Sequence, residues 1–246
     1  MHRYKILIEY VGTDFIGWQI QSKGNSIQKF IQNTIKKLLK EKIILIGSGR
    51  TDTGVHAIEQ SAHFDCKNEI KNLKLFLKSI NYFKNKKNIS ILSITKKNFK
   101  FHARFSAKQR IYKYLILNRI IKPSIEKERC WHVSKKLNTD LMKKGAEKLT
   151  GTKDFSTFRS SSCSAKNAIR TMKSVKIKRK KDLIEIKFKS KSFLKQQVRS
   201  MVGCLKYLGE NKWDLKKFEI ILKSKKRTLC APPAPACGLF LEKVIY

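Results

Sequence analysis

Gly47-Ser48-Gly49-Arg50-Thr51-Asp52-Thr53-Gly54-Val55-His56-Ala57 stands between two runs of strand character. Upstream, Lys42–Ile46 is short, apolar and rich in β-branched residues, the pattern of a buried strand. Downstream, Gln60–Cys66 reads as a second strand. The glycines at 47, 49 and 54 permit positive φ or a close backbone approach in the turn between them. Further out, Tyr4–Glu9 has strand character. Ser26 fits the N-cap of a helix running to Lys40, with Ile27, Phe30, Ile31, Ile35, Leu38 and Leu39 at helical spacing and lysines on the outer face. Leu73–Phe83 reads as a helix and Ile89–Ile94 as a strand, with Lys84–Asn88 a polar connection between them rather than an interdomain linker. The first hundred residues therefore run β-α-β-β-α-β, the ferredoxin-like order.

Asp52 is the one carboxylate at the centre of that turn, two residues from the Arg50 guanidinium. In a chain poor in acids, an aspartate held by glycines at a strand end is the best catalytic candidate. The same residues also read as an ordinary acidic turn, because Asp and Gly are common there.

The second dense stretch is 101–117, where Arg and Lys alternate with Phe and Tyr. That mixture can hold phosphates while stacking on bases; a buried strand with aromatic filling is the alternative. From Arg110 onward, Ile111, Lys113, Leu115 and Leu117 share one strand face and Tyr112, Tyr114 and Ile116 the other. The loop 10–21, with Phe15 and Trp18, supplies either stacking groups or anchors to the core. Leu141, Gly145, Ala146 and Leu149 form a short helix face with Gly151 as its C-cap. Ala168–Phe188 reads as a hairpin turning at Lys178–Asp182, followed by a helix from Phe193 with Arg199 on the shoulder of its apolar face. Trp213 and Phe218 flank Asp214 as the staple of one more helix, and Gly238–Tyr246 reads as a strand. The second half thus resembles the first in element order, which suggests an internal duplication.

The chain has 246 residues, 41% of them hydrophobic, enough to bury a core in one large domain or two smaller ones. Its 56 Lys and Arg against 18 Asp and Glu give a net charge of +38. Such an excess favours a polyanionic partner; compositional drift toward lysine accounts for part of it, so retained arginines weigh more. Cys66, Cys130, Cys163, Cys204, Cys230 and Cys237 show no ligand-like spacing, and a disulfide framework does not suit this length, which points to a reducing cytosol. No apolar run approaches the roughly 18–20 residues of a membrane span, and the first strand pattern begins with no signal peptide ahead of it.

A dinucleotide-binding glycine loop does not fit Gly47-x-Gly49-x-x-Asp52, since a carboxylate would repel pyrophosphate, and no G-K-[ST] follows for a P-loop. Two-metal cleavage needs clustered carboxylates, and only Glu59 and Asp65 trail Asp52. His56 and His63 read either as ligands or as hydrogen-bonded structural groups. One carboxylate in a basic, aromatic setting suits a reaction with no redox cofactor, no phosphoryl donor and no metal. A non-catalytic RNA-binding module is the competing class.

The block 49–57 (GRTDTGVHA) closely resembles the signature of the tRNA pseudouridine synthase A family, as do residues 10–21 (YVGTDFIGWQIQ), 101–114 (FHARFSAKQRIYKY), 193–203 (FLKQQVRSMVG) and 238–246 (GLFLEKVIY). The blocks occur in order over nearly the whole chain. Thr53 and Lys195-Gln196-Gln197 depart from the family's usual residues. The resemblance implies conversion of uridine to pseudouridine at positions 38, 39 and 40 of the tRNA anticodon stem-loop, without cofactor or metal. Asp52 is the implied nucleophile, Tyr112 the tyrosine that stacks on the uracil, and Arg50 and Arg199 the arginines that pair with the carboxylate. It also implies an α+β pseudouridine synthase fold with two ferredoxin-like halves, 1–105 and 106–246, around a long antiparallel sheet with a basic cleft. A cytoplasmic homodimer acting on tRNA completes the expectation.

Overall fold

Tyr4, Ile6, Ile8 and Tyr10 alternate with more exposed neighbours, and this period of two makes His2–Tyr10 the first strand, β1. A computed structural model describes residues 1–83 and 88–246 of the chain, so the expected connection Lys84–Asn88 lies, but for Asn88, outside the described residues. These residues divide into two compact units, Met1–Lys108 with Leu241–Tyr246, and Gln109–Phe240.

In the first unit β1 is followed by α1 (Ile27–Leu39), β2 (Ile46–Gly47), β3 (His56–Cys66), α2 (Leu73–Phe83) and β4 (Ile89–Lys97). Ser26 caps α1 as expected, its hydroxyl accepting the Lys29 N–H at 3.3 Å, and Ile27, Ile31 and Ile35 form the buried stripe. The helix stops at Lys40, whose φ of 54° is left-handed. β1 lies between β4 and β3, antiparallel to both, with Ile6 opposite Ala62 on one side and Ile94 on the other. β2 adds to β3 through Ile46 opposite His63. The resulting order β4-β1-β3-β2 is that of a ferredoxin-like unit.

The strand expected over Lys42–Ile46 is shorter than its apolar run, with only Ile46 and Gly47 paired. Side-chain amides of α1 replace a neighbouring strand: the Leu45 N–H donates to Gln32 Oε1 at 3.0 Å, and Gln28 Nε2 donates to the Leu45 carbonyl at 2.7 Å. Ile43 and Leu45 are buried while Ile44 is 63% exposed, so the segment is extended and one-sided rather than buried on both faces.

The second unit carries β5 (Gln109–Asn118), β6 (Trp131–Val133), α3 (Thr139–Lys148), β7 (Gly151–Asp154), β8 (Ile169–Lys180), β9 (Leu183–Ser190), α4 (Gln197–Gly209) and α5 (Leu215–Lys223). The chain then enters β10 (Leu239–Ile245), whose first two residues belong here and the rest to the first unit. The sheet order is β5-β9-β8-β7, antiparallel throughout, with the short β6 parallel to β5. Each unit is therefore mixed α and β around a mostly antiparallel sheet, in keeping with the expected fold class.

The hairpin turns on Lys181 and Asp182 alone, a two-residue loop with Lys181 at φ 53°. Helix α3 ends before Gly151, which at φ 97° turns the chain into β7 instead of capping the helix; Leu149 is the cap. Helix α4 starts at Gln197 rather than Phe193. The Leu194 N–H is taken by Gln197 Oε1 at 2.8 Å and Gln196 has φ 61°, so residues 194–197 form a turn ahead of the helix. Asp214 caps α5 by accepting the Lys217 N–H at 2.6 Å, while Trp213 packs edge-on against Tyr207 at 5.0 Å.

His63, in the middle of β3, is 1% exposed, and its Nδ1 accepts the Ala103 N–H at 3.1 Å. Burial, helped by the nearby charge of Arg3 and by His102, pushes its pKa from 6.5 down to about 4. A histidine held neutral in the fold and protonated in the unfolded chain stabilises the fold above the unfolded value and withdraws that stability as pH falls toward 4. The displacement corresponds to roughly 3 kcal/mol. Urea midpoints should therefore fall between pH 6.5 and 4, and His63→Gln, which keeps an acceptor, should flatten that part of the profile. An imidazole resonance of His63 titrating near 6.5 by NMR would contradict the buried neutral ring.

Candidate active site

The Asp52 turn connects β2 to β3 and is fixed from both sides. On the β3 side, the Ser48 N–H donates to the Ser61 carbonyl at 2.7 Å. One buried amide, Gln60, does the rest: its Oε1 accepts the Ser48 hydroxyl at 2.7 Å and its Nε2 donates to the Gly49 carbonyl at 2.9 Å. Thr51 is buried, its carbonyl taking the Trp18 N–H at 3.1 Å and its hydroxyl sharing a hydrogen bond with Tyr10 at 2.9 Å. The Asp52 carbonyl then accepts the Val55 N–H at 3.1 Å and closes a four-residue turn. Gly54 has φ 76°, the sign a type II turn requires at its third residue.

On the other side lies the loop after β1. A methyl group on Gly12 would sit 2.0 Å from the Val55 carbonyl oxygen, and one on Gly17, at φ 95°, 2.6 Å from that of Thr51. The loop backbone thus touches the turn backbone directly. Phe15 and Trp18 are buried, so the aromatics of this loop anchor it, and the Trp18 indole fills the space a side chain on Gly47 would need. His56 ties the two segments together, its Nδ1 accepting the Gly12 N–H at 3.0 Å. Both histidines weighed as ligands are thus engaged through Nδ1 with backbone amides. Among the described residues no group of three or more His, Cys, Asp or Glu is arranged to hold a metal ion.

Asp52 is half-buried and Arg50, on the same turn, is exposed, its Nε donating to Gln19 Oε1 at 3.1 Å. The other two expected site residues stand in the second unit. Tyr112 lies on β5 opposite Phe188, mostly buried, with its ring edge-on to Phe193 at 5.1 Å. Arg110 shares that strand face and is also buried, its guanidinium donating to the Lys191 carbonyl. Arg199 lies in the first turn of α4, and a pair of hydrogen bonds joins it to Ala234: its Nε donates to the Ala234 carbonyl at 2.6 Å and its own carbonyl accepts the Ala234 N–H at 2.9 Å. Sequence reasoning missed Gln60, Thr51 and the buttressing glycines 12 and 17. Their signals are a glutamine inside a buried strand and two glycines in an otherwise aromatic loop.

In chemical terms the first unit presents one carboxylate and one guanidinium on a rigid turn. The second presents a tyrosine ring and two arginines anchored by backbone carbonyls. A family model described as tRNA pseudouridine synthase, a class of isomerases, matches residues 6–106 and 146–246. The chain is 73% identical over 246 residues to the tRNA pseudouridine synthase A of Pelagibacter ubique (strain HTCC1062), covering 100% of both chains. It is 42% identical over 244 residues to that of Neorickettsia sennetsu (strain ATCC VR-367 / Miyayama), covering 99% of this chain and 100% of the relative. With that of Parvibaculum lavamentivorans (strain DS-1 / DSM 13023 / NCIMB 13966) it shares 39% identity over 246 residues, covering 100% of each. The chain belongs to the tRNA pseudouridine synthase family. No helix among the described residues is long and apolar enough to cross a membrane.

The contact between Gly12 and Val55 is backbone on backbone, so a methyl group added at Gly12 cannot be relieved by a rotamer change. Gly12→Ala should destabilise the fold by about 1–3 kcal/mol, the usual range for overpacking, read as a lower urea midpoint. Thr53→Ala, at the exposed tip of the same turn, should stay within about 0.5 kcal/mol of the parent. Equal midpoints for the two variants would show that the loop yields.

Proposed function

We propose that the chain converts uridine to pseudouridine at positions 38, 39 and 40 of the tRNA anticodon stem-loop, with Asp52 as the nucleophile. The observation that carries this reading is the placement of Asp52: the only acid of its turn, half-buried, on a backbone fixed by Gln60, Trp18 and Val55 and buttressed by Gly12 and Gly17. Such a carboxylate is pre-positioned for attack, with little reorganisation left for the moment of reaction.

The target uridine first leaves its stack, at a cost of a few kcal/mol. The Asp52 carboxylate adds to C1′ of the ribose or to C6 of the uracil, and a covalent intermediate divides one difficult step into two. The C1′–N1 bond breaks, the uracil turns within the site, its C5 bonds to C1′, and the bond to Asp52 breaks to free the carboxylate. The proton on C5 leaves to solvent and N1 gains one, so the reaction is an isomerisation with no external reactant. In this reading Asp52, Arg50, Tyr112 and Arg199 are the residues that act on the uridine. The arginines supply the positive charge that the reading pairs with the carboxylate, offsetting the cost of desolvating it. Tyr112 stacks on the uracil. The net charge of +38 suits a tRNA partner, and the protein works as a cytoplasmic homodimer.

Asp52→Asn keeps the shape and removes the charge, so tritium release from 5-[³H]-uridine tRNA should drop below detection, a loss on the order of 10⁴-fold or more. Filter binding of tRNA should persist. Release at the parental rate by a folded Asp52→Asn protein would refute the nucleophile assignment, and this separates an enzyme from an RNA-binding module, which has no reaction to lose.

Tyr112→Phe should retain stacking and lose the hydroxyl, whereas Tyr112→Leu should lose both, with a binding deficit of roughly 1–3 kcal/mol. Parental turnover in both variants would remove Tyr112 from the site. Affinity should also fall steeply with salt. Six phosphate contacts would cost about 10³-fold between 50 and 200 mM, and a flat dependence would assign the lysines to drift alone.

A further inference from the structure

Phe105 is 74% exposed, yet its surroundings are built to hold it. Its ring stacks on the His102 imidazole with centroids 4.4 Å apart and planes 29° from parallel. His102 Nδ1 accepts the N–H groups of Arg104 and Phe105 at 3.1 and 3.2 Å. The turn is closed by the Ser106 N–H, which donates to the His102 carbonyl at 2.9 Å, and by the His102 N–H, which donates to the Ser106 hydroxyl oxygen at 2.9 Å. Ala103 in the same turn is anchored to the core twice, by His63 Nδ1 at 3.1 Å and by the Tyr246 hydroxyl at 2.9 Å. Just before it, Arg3 Nη1 holds the carbonyls of Phe99 and Phe101 at 2.9 and 2.7 Å. An apolar ring is therefore presented to solvent by a backbone with little freedom.

The segment that carries it is cationic. The Arg104 guanidinium lies 5.5 Å from the Phe105 centroid, and Lys97, Lys100, Arg104 and Lys108, within eight residues of Phe105 in sequence, are all exposed. A second exposed phenylalanine, Phe99 (56%), has the Arg3 guanidinium 5.4 Å from its centroid. A protein partner docking on an apolar spot would have to desolvate these charges, and a second copy would bring the same sign of charge to meet them. A nucleobase with its phosphate supplies what the patch lacks: a flat π-face for the ring and negative charge for the cationic segment.

We propose that Phe105 is a stacking platform for one unpaired base of the tRNA, outside the residues assigned to the reacting uridine. The proposal rests on the reading that tRNA is the substrate. The base is unpaired because both faces of a paired, stacked base are already covered. The platform sharpens how the RNA is positioned and adds affinity that does not depend on counterion release.

The test is equilibrium tRNA binding at several salt concentrations together with single-turnover tritium release, for the parent, Phe105→Ala, Phe105→Leu and Phe105→Trp. Phe105→Ala and Phe105→Leu should bind about 5- to 150-fold more weakly, the range for loss of one base–aromatic stack, with the salt slope unchanged. Phe105→Trp should bind within about threefold of the parent, and its added indole fluorescence should be quenched by tRNA relative to the parent. Because the residue is exposed, melting temperatures should not move. Parental affinity in Phe105→Leu would overturn the platform. So would a loss of affinity that follows dissociation of an oligomer in sedimentation, because the surface would then be a subunit contact. A parent protein that binds tRNA but releases no tritium refutes the enzyme reading and leaves the platform standing on its binding data; an active parent with unaffected Phe105 variants refutes the platform alone.

Discussion

The closest constraint in the first unit is the approach of two glycine backbones, Gly12 and Gly17, to the turn that carries Asp52. Any Cβ at these positions would overlap a carbonyl oxygen of the turn. The turn is therefore a solid object resting on a second loop, and that loop is fixed in turn by Phe15 and Trp18 in the core. The position of the carboxylate is set by apolar packing several residues away, with hydrogen bonds from Gln60 and Thr51 removing the remaining slack. This is how a charged group is held half-buried without a rigid side chain of its own.

Electrostatics act on a longer scale around it. Few acids are present, and several are committed to structure. Asp65 makes a two-pronged contact with Arg3 at 2.8 and 2.7 Å, and the hydrogen bond from Arg3 holds its carboxyl below the usual range. The same guanidinium holds the carbonyls of Phe99 and Phe101, so one arginine links the start of β1 and the end of β3 to the exposed aromatic segment. With acids engaged in this way, little negative charge is left to oppose a polyanion.

Local patterns in the sequence carried most of the fold. The period of two in β1 and β5, the period of 3.6 in α1, and the caps at Ser26 and Asp214 all depend on neighbours a few residues apart, and these elements formed as expected. What was not legible depended on distant partners. Lys42–Leu45 stays outside the paired strand, with glutamines of α1 taking the N–H and carbonyl of Leu45, and Gln60 holds the turn through side-chain bonds that leave no periodic trace. The start of α4 was misplaced because Phe193 and Leu194 are as apolar as the helix that follows, while the turn before it is decided by Gln197. The candidacy of Asp52 rests on its glycines and the scarcity of other acids; the buttress that fixes its turn left no such local trace.

The strand β10 crosses from the second unit back to the first, and this orders events during synthesis. Lys108 donates its N–H to Ile245, and Tyr246 bonds to Ser61 and Ala103. These partners emerge from the ribosome only after all of Gln109–Phe240 has been translated, a delay on the order of ten seconds at usual elongation rates. Throughout that interval the first unit lacks one of its strands and displays the edge it will later pair. An open strand edge of that kind is a template for pairing with other chains, whereas the second unit can assemble as a continuous stretch of chain.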